Sequence, residues 1–387
     1  SKLYWDSFRC HSGILILPCG AGKTLIGITA FATLQQPCII FCQSTLAASQ
    51  WAEQIGIWTN LSKSAISAIT SLHKDRNPDA EVVITTYAMF AGNELKRKDE
   101  SVKIINRIRQ REWGLMILDE VHQAPADTFR IVTGKLTCHL KLGLTATLVR
   151  EDAKVAMLPS LVGPTLYELD VSTLRKRGHI AKIECHEIRL PFTPFWKHHY
   201  THPGEQLWRS TSATPAVVKE LLFTTNPNKM LACITLIKKH LQEKHKIVIF
   251  CDDLIGLECY AQILGSIDTS RPCPVIQGKT TETEKERIVK QFRDAKDGDW
   301  LLFSKVGDMS IDLPEARVLI QIAASQGSRM QEGQRIGRIQ RKFPGKTLSY
   351  AYSLVSGESD AELGFAYRRR SYLEDHGYSV QLHEMDE

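Results

Sequence analysis

The sequence predicts an α/β protein built from two parallel-sheet domains in tandem, with a small separate element between them. Three observations lead there. Short apolar runs of strand length recur with helix-like segments between them, and the same rhythm returns after an irregular middle. The 387 residues also suit two or three domains at about 150 residues each. Parallel strands buried on both faces read as continuous apolar runs, and that is the pattern here.

In the first half the runs fall at residues 14–17, 38–42, 82–87, 115–118 and 141–144. In the second half they fall at 247–250, 275–276, 301–303, 318–322 and 347–354. Between the two halves, Pro191, Pro194, Pro203 and Pro215 are mixed with Trp196, Tyr200 and Trp208, the mark of a linker or a small inserted element. The expected divisions are therefore 1–189, 190–226 and 227–387. Two helix starts are well marked. Thr281 with Glu284 forms a capping box ahead of an amphipathic run to about Phe292, and Ser328 with Gln331 forms another ahead of a run ending near Arg341.

Composition excludes several classes. With 43% hydrophobic and 24% charged residues, the chain is neither disordered nor collagen-like nor fibrous. No apolar run approaches the roughly 18 residues of a membrane span, so no membrane partner is expected. The net charge of +6, from 49 Lys plus Arg against 43 Asp plus Glu, permits anionic partners without establishing them. The ten cysteines sit singly, as at Cys38, Cys42, Cys185 and Cys251, with no CxxC pair, as buried reduced thiols do. Neither Cys138 with His139 nor Cys38 with Cys42 has a second ligand pair at zinc spacing. The chain starts at Ser1 rather than Met and shows no signal peptide, so a trimmed or processed chain is expected.

The strongest local signal is Pro18-Cys19-Gly20-Ala21-Gly22-Lys23-Thr24, directly after an apolar strand and opening a helix. It reads as a phosphate-binding loop. The glycines let backbone N–H groups curl around phosphates, the helix N-terminus adds its positive dipole end, Lys23 reaches the terminal phosphates and Thr24 ligates magnesium. Leu17 stands where the first glycine of the longer GxxxxGKT pattern would be, so the match is to the shorter GxGKT form. The cofactors expected from these residues are a nucleotide and Mg2+.

A second signal follows, where the apolar strand Leu115-Met116-Ile117-Leu118 ends in Asp119-Glu120-Val121-His122. Carboxylates at the exit of a parallel strand face the crevice where ligands bind, so Asp119 is expected to hold magnesium and Glu120 to polarise the attacking water. His122 either couples this site to other motifs or caps a turn. A third segment, Lys141-Leu142-Gly143-Leu144-Thr145-Ala146-Thr147, puts two hydroxyls at another strand end. In the fourth, Gln334-Arg335-Ile336-Gly337-Arg338-Ile339-Gln340-Arg341, two arginines three apart, Arg338 and Arg341, share a helical face and suit a γ-phosphate. Such a finger is worth on the order of 10³–10⁵ in rate. Gly337 between two isoleucines suggests close packing of that helix.

In this order the motifs resemble those of superfamily 2 helicases, and their wording is similar to the XPB branch, the translocase subunit family of the transcription and repair factor TFIIH. The stretches that carry the resemblance are LPCGAGKT at 17–24, WGLMILDEVH at 113–122, KLGLTATLVRED at 141–152, NPNK at 226–229, FSKVGDMSIDLPEA at 303–316 and QRIGRIQR at 334–341. The resemblance implies two RecA-like lobes with a small thumb-like insertion, closing on Mg-ATP. It implies 3'-5' polarity, with Arg338 and Arg341 sensing the γ-phosphate, and Gly307, Asp308 and Gln334 at the nucleotide-dependent contact. It also implies that Ser44 and Thr45, followed by Gln50-Trp51, and Thr85 and Thr86 touch the nucleic-acid backbone without reading its sequence. Arg150-Glu151-Asp152 matches an element linked in the family to engaging and opening DNA, and residues 195–200 fall where the family carries its thumb.

The implied partners are duplex or forked DNA and TFIIH-type core subunits, and the implied location is nuclear. An adenine-recognising element and a large N-terminal region are implied upstream of the first motif. Met330 and Gly333 depart from the basic residue and alanine expected before the arginines, and glycine inside a helix costs about 1 kcal/mol relative to alanine. Two other readings share these motifs: an ATP-binding regulatory or scaffold subunit, and an RNA helicase. Loss of Lys23, Glu120 or Arg341 would favour the scaffold, and all three are present.

Overall fold

Runs such as Cys-Ile-Ile-Phe-Cys and Leu-Met-Ile-Leu bury every residue when extended, because the alternate side chains of one strand go to opposite faces of a sheet that is covered on both sides. The computed structural model describes residues 12–18, 20–70, 77–91, 99–121, 126–146, 158–169, 171–176, 178, 180–203, 214–267, 272–296, 298–304, 313–323 and 329–385. The chain divides into two units, Ser1–Asp170 and Val171–Glu387.

In chain order the first unit contains β1 (Gly13–Ile16), α1 (Lys23–Leu34), β2 (Cys38–Cys42), α2 (Thr45–Trp58), β3 (Ile66–Ile69), β4 (Val82–Thr86) and α3 (Tyr87–Ala91). It continues through α4 (Asp99–Gln110), β5 (Trp113–Asp119), α5 (Ala126–Gly134), β6 (Cys138–Thr145), α6 (Leu158–Leu161) and β7 (Thr165–Glu168). The strands form one parallel sheet in the order β3-β4-β2-β5-β6-β1-β7. Neighbouring residues of one strand enter different cores. Ile14, Ile39 and Met116 pack on one face with Phe90 and Ile105. Leu15, Ile40 and Ile117 pack on the other with Ile28, Phe31 and Trp51.

The second unit opens with α7 (Val171–Lys176), β8 (Lys182–Leu190), α8 (Pro194–Thr201), α9 (Pro215–Thr224), α10 (Pro227–Gln242), β9 (Lys246–Cys251) and α11 (Leu254–Gly265). It goes on through β10 (Val275–Ile276), α12 (Glu282–Asp294), β11 (Asp299–Phe303), β12 (Ala316–Ala323), α13 (Arg329–Gln340), β13 (Leu348–Ser356), α14 (Asp360–Asp375) and β14 (Val380–Glu384). Its parallel sheet runs β10-β11-β9-β12-β13-β8-β14. Of the capping box expected ahead of α12, the N-cap half forms, with Glu284 N–H donating to Thr281 Oγ1 at 3.3 Å, while the Glu284 carboxylate accepts from Arg287 instead.

The division between units falls earlier than the expected 189/190. Residues 182–190 pair with β13 over their full length and with β14, so they belong to the second sheet. The described parts of the expected insertion also pack on that unit. Glu358 Oε2 accepts from Phe192 N–H at 3.0 Å, Tyr200 Oη lies 2.8 Å from Ser359 Oγ, and Lys197 pairs with Glu358. Asn226 Nδ2 donates to Pro191 O at 3.1 Å and reaches Ser356 Oγ at 3.2 Å, and buried Lys229 pairs with buried Glu362. The segment thus acts as the brace that joins β8 to α10. Its part at 204–213, with Trp208, lies outside the described residues, as does Ser328.

The buried cysteines are free thiols, including Cys38, Cys42, Cys185 and Cys251. Gly333 has a packing reason: a Cβ there would run into the hydroxyl of Tyr372 on α14. Among the described residues, no helix is long and apolar enough to cross a membrane.

Candidate nucleotide site

Parallel pairing puts the ends of β1, β6 and β5 side by side. Leu15 is level with Leu144, and Leu144 with Asp119, so the loop after β1, Thr145 and the two carboxylates emerge at one sheet edge. This is the carboxyl edge, where ligands bind in open α/β sheets.

The loop after β1 is shaped for an anion. Gly20 and Gly22 both adopt left-handed backbone, with φ of 83° and 84°, which glycine enters without steric cost. Leu17 N–H donates to Thr145 O at 2.8 Å and Ala21 N–H to Pro18 O at 3.1 Å, tying the start of the loop to β6 and closing a turn within it. Gly22 caps α1, and neither a side-chain cap nor an acidic residue satisfies the helix's first turn. Its leading N–H groups therefore suit phosphate oxygens. Lys23 and Thr24 stand at the first two helical positions.

Opposite the loop, Lys23 Nζ and Glu120 Oε1 are 3.0 Å apart, with both side chains mostly sheltered. Glu120 itself has φ 47°, an uncommon conformation for a residue with a side chain, and Val121 N–H bonds back to Leu144 O at 3.1 Å. Asp119 is held on three sides. Its Oδ2 accepts from Trp51 Nε1–H at 2.9 Å, its Oδ1 accepts from Glu120 N–H at 3.0 Å, and its carbonyl accepts from Tyr87 Oη–H at 3.0 Å. Burial, and then the neighbouring Glu120 carboxylate, push Asp119 up to about 6, while the Trp51 bond and Lys23 pull the other way. A cation beside Asp119 would favour its ionised form, and a carboxylate oxygen is a donor that suits a hard divalent ion.

The structure brings together Pro18, Gly20, Ala21, Gly22, Lys23, Thr24, Asp119 and Glu120 on one unit. Ser44 and Thr45 follow β2 and Thr85 and Thr86 end β4, at the level where Cys42 pairs with Thr86. Ser44 caps α2 by accepting from Ala47 N–H at 3.2 Å, and Thr86 Oγ1 accepts from Met89 N–H at 3.2 Å. Thr85 is buried and gives its hydroxyl to Ile69 O at 2.9 Å, tying β3 to β4. Trp51, named only as following Ser44 and Thr45, is 3% exposed and donates to Asp119.

On the second unit, Arg338 lies on α13 and Arg341 directly follows it, while Ile336 and Ile339 bury the opposite side and Gly337 is buried as expected. Sequence reasoning passed over Arg335. It is buried, bonds Asp252 Oδ1 at 2.6 Å through Nη2, and lies 4.6 Å above the Phe250 ring, so it anchors the arginine helix to β9. Its place three residues before Arg338, flanking the apolar stripe, was the available signal. Cys19, Gly307, Asp308, Arg150, Glu151 and Asp152, the side chain of Gln334, and His122 and Thr147 lie outside the described residues.

The family described as the ERCC3/RAD25/XPB C-terminal helicase matches residues 174–386, more than half of the chain. The chain belongs to the ERCC3/RAD25/XPB helicase family. Residues 6–150, with the phosphate loop and Asp119-Glu120, match the res subunit of type III restriction enzymes. The chain is 42% identical over 379 residues to the general transcription and DNA repair factor IIH helicase/translocase subunit XPB of Encephalitozoon cuniculi, covering 97% of this chain and 53% of that protein. To the Danio rerio subunit of the same name it is 40% identical over 378 residues, covering 97% and 46%. The chain thus spans about half the length of the curated relatives it matches.

Two solved structures share the fold. Saccharomyces cerevisiae Dbp5 bound to RNA and ADP BeF3 matches 99% of this chain and 88% of that one, with a TM-score of 0.68 and 15% identity. The helicase domain of Pyrococcus furiosus Hef matches 93% and 95%, with a TM-score of 0.56 and 14% identity. The two units are accordingly RecA-like helicase lobes, and fold and family together imply nucleotide binding.

Proposed function

We propose that this ERCC3/RAD25/XPB family chain is a DNA-dependent ATPase of superfamily 2 that spends ATP on translocating along or opening duplex DNA, in nucleotide excision repair, transcription initiation or both. The observation that carries it is the 3.0 Å ion pair between Lys23 and Glu120, which joins the phosphate loop to the carboxylate strand. A phosphate loop alone binds nucleotide; a carboxylate within reach of its lysine adds a group that can act on water.

The loop that Pro18 opens cradles the phosphates through backbone N–H groups of Cys19 to Thr24, and Lys23 leaves Glu120 for the β- and γ-phosphate oxygens. Glu120, released from the ion pair, orients the attacking water and accepts its proton. Thr24 and Asp119 hold magnesium, which when bound neutralises charge on the β- and γ-phosphates. Trp51 and Tyr87 fix the orientation of Asp119. Arg338 and Arg341 stabilise charge on the transferring phosphoryl group, with Gly307, Asp308 and Gln334 completing the nucleotide contacts. Ser44, Thr45 and Thr86 grip the phosphodiester backbone, Thr85 supports them from within, and Arg150-Glu151-Asp152 engage the duplex. The partners proposed are duplex or forked DNA and TFIIH-type core subunits, and the location is nuclear. The family relatives named as factor IIH subunits support these assignments.

Steady-state ATP hydrolysis with and without duplex DNA, beside a Glu120→Gln control, tests the reading. Stimulation by duplex DNA that Glu120→Gln abolishes is the expected result. Stimulation by RNA alone would make the chain an RNA motor, and nucleotide binding without turnover on any nucleic acid would make it a scaffold.

A further inference from the structure

In the second unit, α10 ends within the stretch His240-Leu241-Gln242-Glu243-Lys244-His245, and β9 begins directly after it at Lys246. Lys244 has φ 58°, and its N–H donates to Leu241 O at 2.9 Å while His245 N–H donates to His240 O at 2.9 Å. The turn so formed brings three side chains together. His240 Nδ1 lies 3.0 Å from His245 Nδ1, and Glu243 Oε2 lies 3.7 Å from the first and 3.3 Å from the second. Among the described residues this is the only convergent group of three His, Cys, Asp or Glu ligand atoms.

These separations are those of three corners of a tetrahedral metal site. A triangle with sides of 3.0, 3.3 and 3.7 Å has a circumscribed radius of about 2.0 Å. One face of a tetrahedron with metal–ligand bonds of 2.0–2.1 Å has a radius of about 1.9–2.0 Å. An ion about 0.6 Å above the plane would therefore bond all three atoms at zinc distances. The surroundings orient the first ring as a metal ligand requires. His240 Nε2 is 3.1 Å from Tyr352 Oη, and an Nε2–H given to that phenol leaves the Nδ1 lone pair facing the cluster. His240 and His245 are buried, whereas the Glu243 side chain is 46% exposed and opens a path to solvent.

We propose that His240 Nδ1, Glu243 Oε2 and His245 Nδ1 form a zinc site, with water as fourth ligand, that clamps the end of α10 to the start of β9. Two imidazoles and one carboxylate suit zinc rather than magnesium or calcium, which take oxygen ligands. In the metal-free chain His245 Nδ1–H donates to His240 Nδ1, and zinc binding moves that proton to His245 Nε2. The cations facing the rings are Arg317 of β12 and Lys239 of α10, and Glu243 is the facing carboxylate. Arg317 is partly engaged elsewhere, donating from Nε to Leu348 O at 2.8 Å. The site shares no residue with the nucleotide site.

The test is a zinc titration of the full 387-residue chain, stripped of metal and kept reduced, in competition with a chromogenic chelator. Cobalt(II) substitution reports on geometry and ligand type. One equivalent should bind, and cobalt should give tetrahedral visible bands without thiolate charge transfer. Glu243→Gln and His245→Asn should weaken zinc by at least about 100-fold, the upper end of what losing an outer-shell partner costs. His383→Ala, which breaks the separate 3.0 Å contact with His186, should leave it unchanged. Circular dichroism of Glu243→Gln, altered at a half-exposed side chain, confirms folding. Absence of a bound equivalent, a thiolate cobalt spectrum, or wild-type affinity in Glu243→Gln and His245→Asn would overturn the proposal.

Discussion

Trp51 on α2 donates its indole N–H to Asp119 Oδ2 at 2.9 Å, so a helix residue far along the chain sets the direction of the carboxylate proposed to hold magnesium. Gly27 on α1 makes room for that ring: a Cβ there would approach Trp51 Cη2 to 2.7 Å. Outer-shell donors of this kind fix ligand orientation. Trp51→Phe keeps an aromatic core residue and removes the donor. The magnesium concentration for half-maximal hydrolysis should rise about 10-fold, while KM for ATP at saturating magnesium should change little; a magnesium titration of ATPase rate reads both.

Gly333 on α13 faces the Tyr372 hydroxyl, and the missing Cβ is what the hydroxyl occupies. Gly333→Ala should therefore fail to deliver the gain of about 1 kcal/mol that alanine normally brings to a helix interior. In a Tyr372→Phe background the same change should stabilise. A double-mutant cycle by urea denaturation should show coupling above about 0.5 kcal/mol.

Lys229 and Glu362 form an ion pair with no solvent access to the ammonium group, which also donates to Ile322 O at 3.1 Å. Burial lowers the Lys229 pKa and raises that of Glu362, each opposed by its partner. Lys229→Met leaves a carboxylate buried without its cation, and should cost the second unit about 3–5 kcal/mol by thermal or urea unfolding. Adding Glu362→Gln should recover much of it.

Glu358 binds Phe192 N–H and Lys197 and so holds the start of α8 against the second unit. Burial pushes its carboxyl up, but the bonds from Lys197 and Phe192 outweigh that and hold it below the usual value of 4.5. A depressed folded pKa contributes stability that is present above 4.5 and lost as pH falls through the folded value. Glu358→Gln should thus cost about 0.5–1 kcal/mol at pH 7 for this partly exposed pair. The difference from wild type should close as pH falls from 4.5 through the lower folded value, followed by denaturation across pH.

Continuous apolar runs located ten strands, nine of them inside the two sheets, where burial on both faces leaves little choice of residue, and the edge strand β10. The strands missed are those whose sequences obey other constraints. β8, Lys-Ile-Glu-Cys-His-Glu-Ile-Arg-Leu, intersperses polar residues among its apolar ones, and β14 is largely exposed at a sheet edge. β7 is likewise an exposed edge strand, and β3, Ile-Ser-Ala-Ile at the other edge, is buried at only alternate residues. In the candidate site, Lys23, Thr24, Asp119 and Glu120 were legible because phosphate chemistry demands those types at strand ends. Trp51, Tyr87 and Arg335 were not, since their partners Asp119 and Asp252 lie 68, 32 and 83 positions away. Only the folded chain shows those pairings.

The place of β8 bears on how the protein is made. Lys182 pairs with Leu348, so the strand must wait for 166 further residues of synthesis before its neighbour exists, whereas the first sheet has all its strands once Glu168 has emerged. Vectorial synthesis therefore favours a nascent chain whose first lobe is already folded while β8 is still unpaired. Until then the strand offers Ile183, Cys185 and Ile188 and an open row of backbone donors and acceptors to whatever lies beside it.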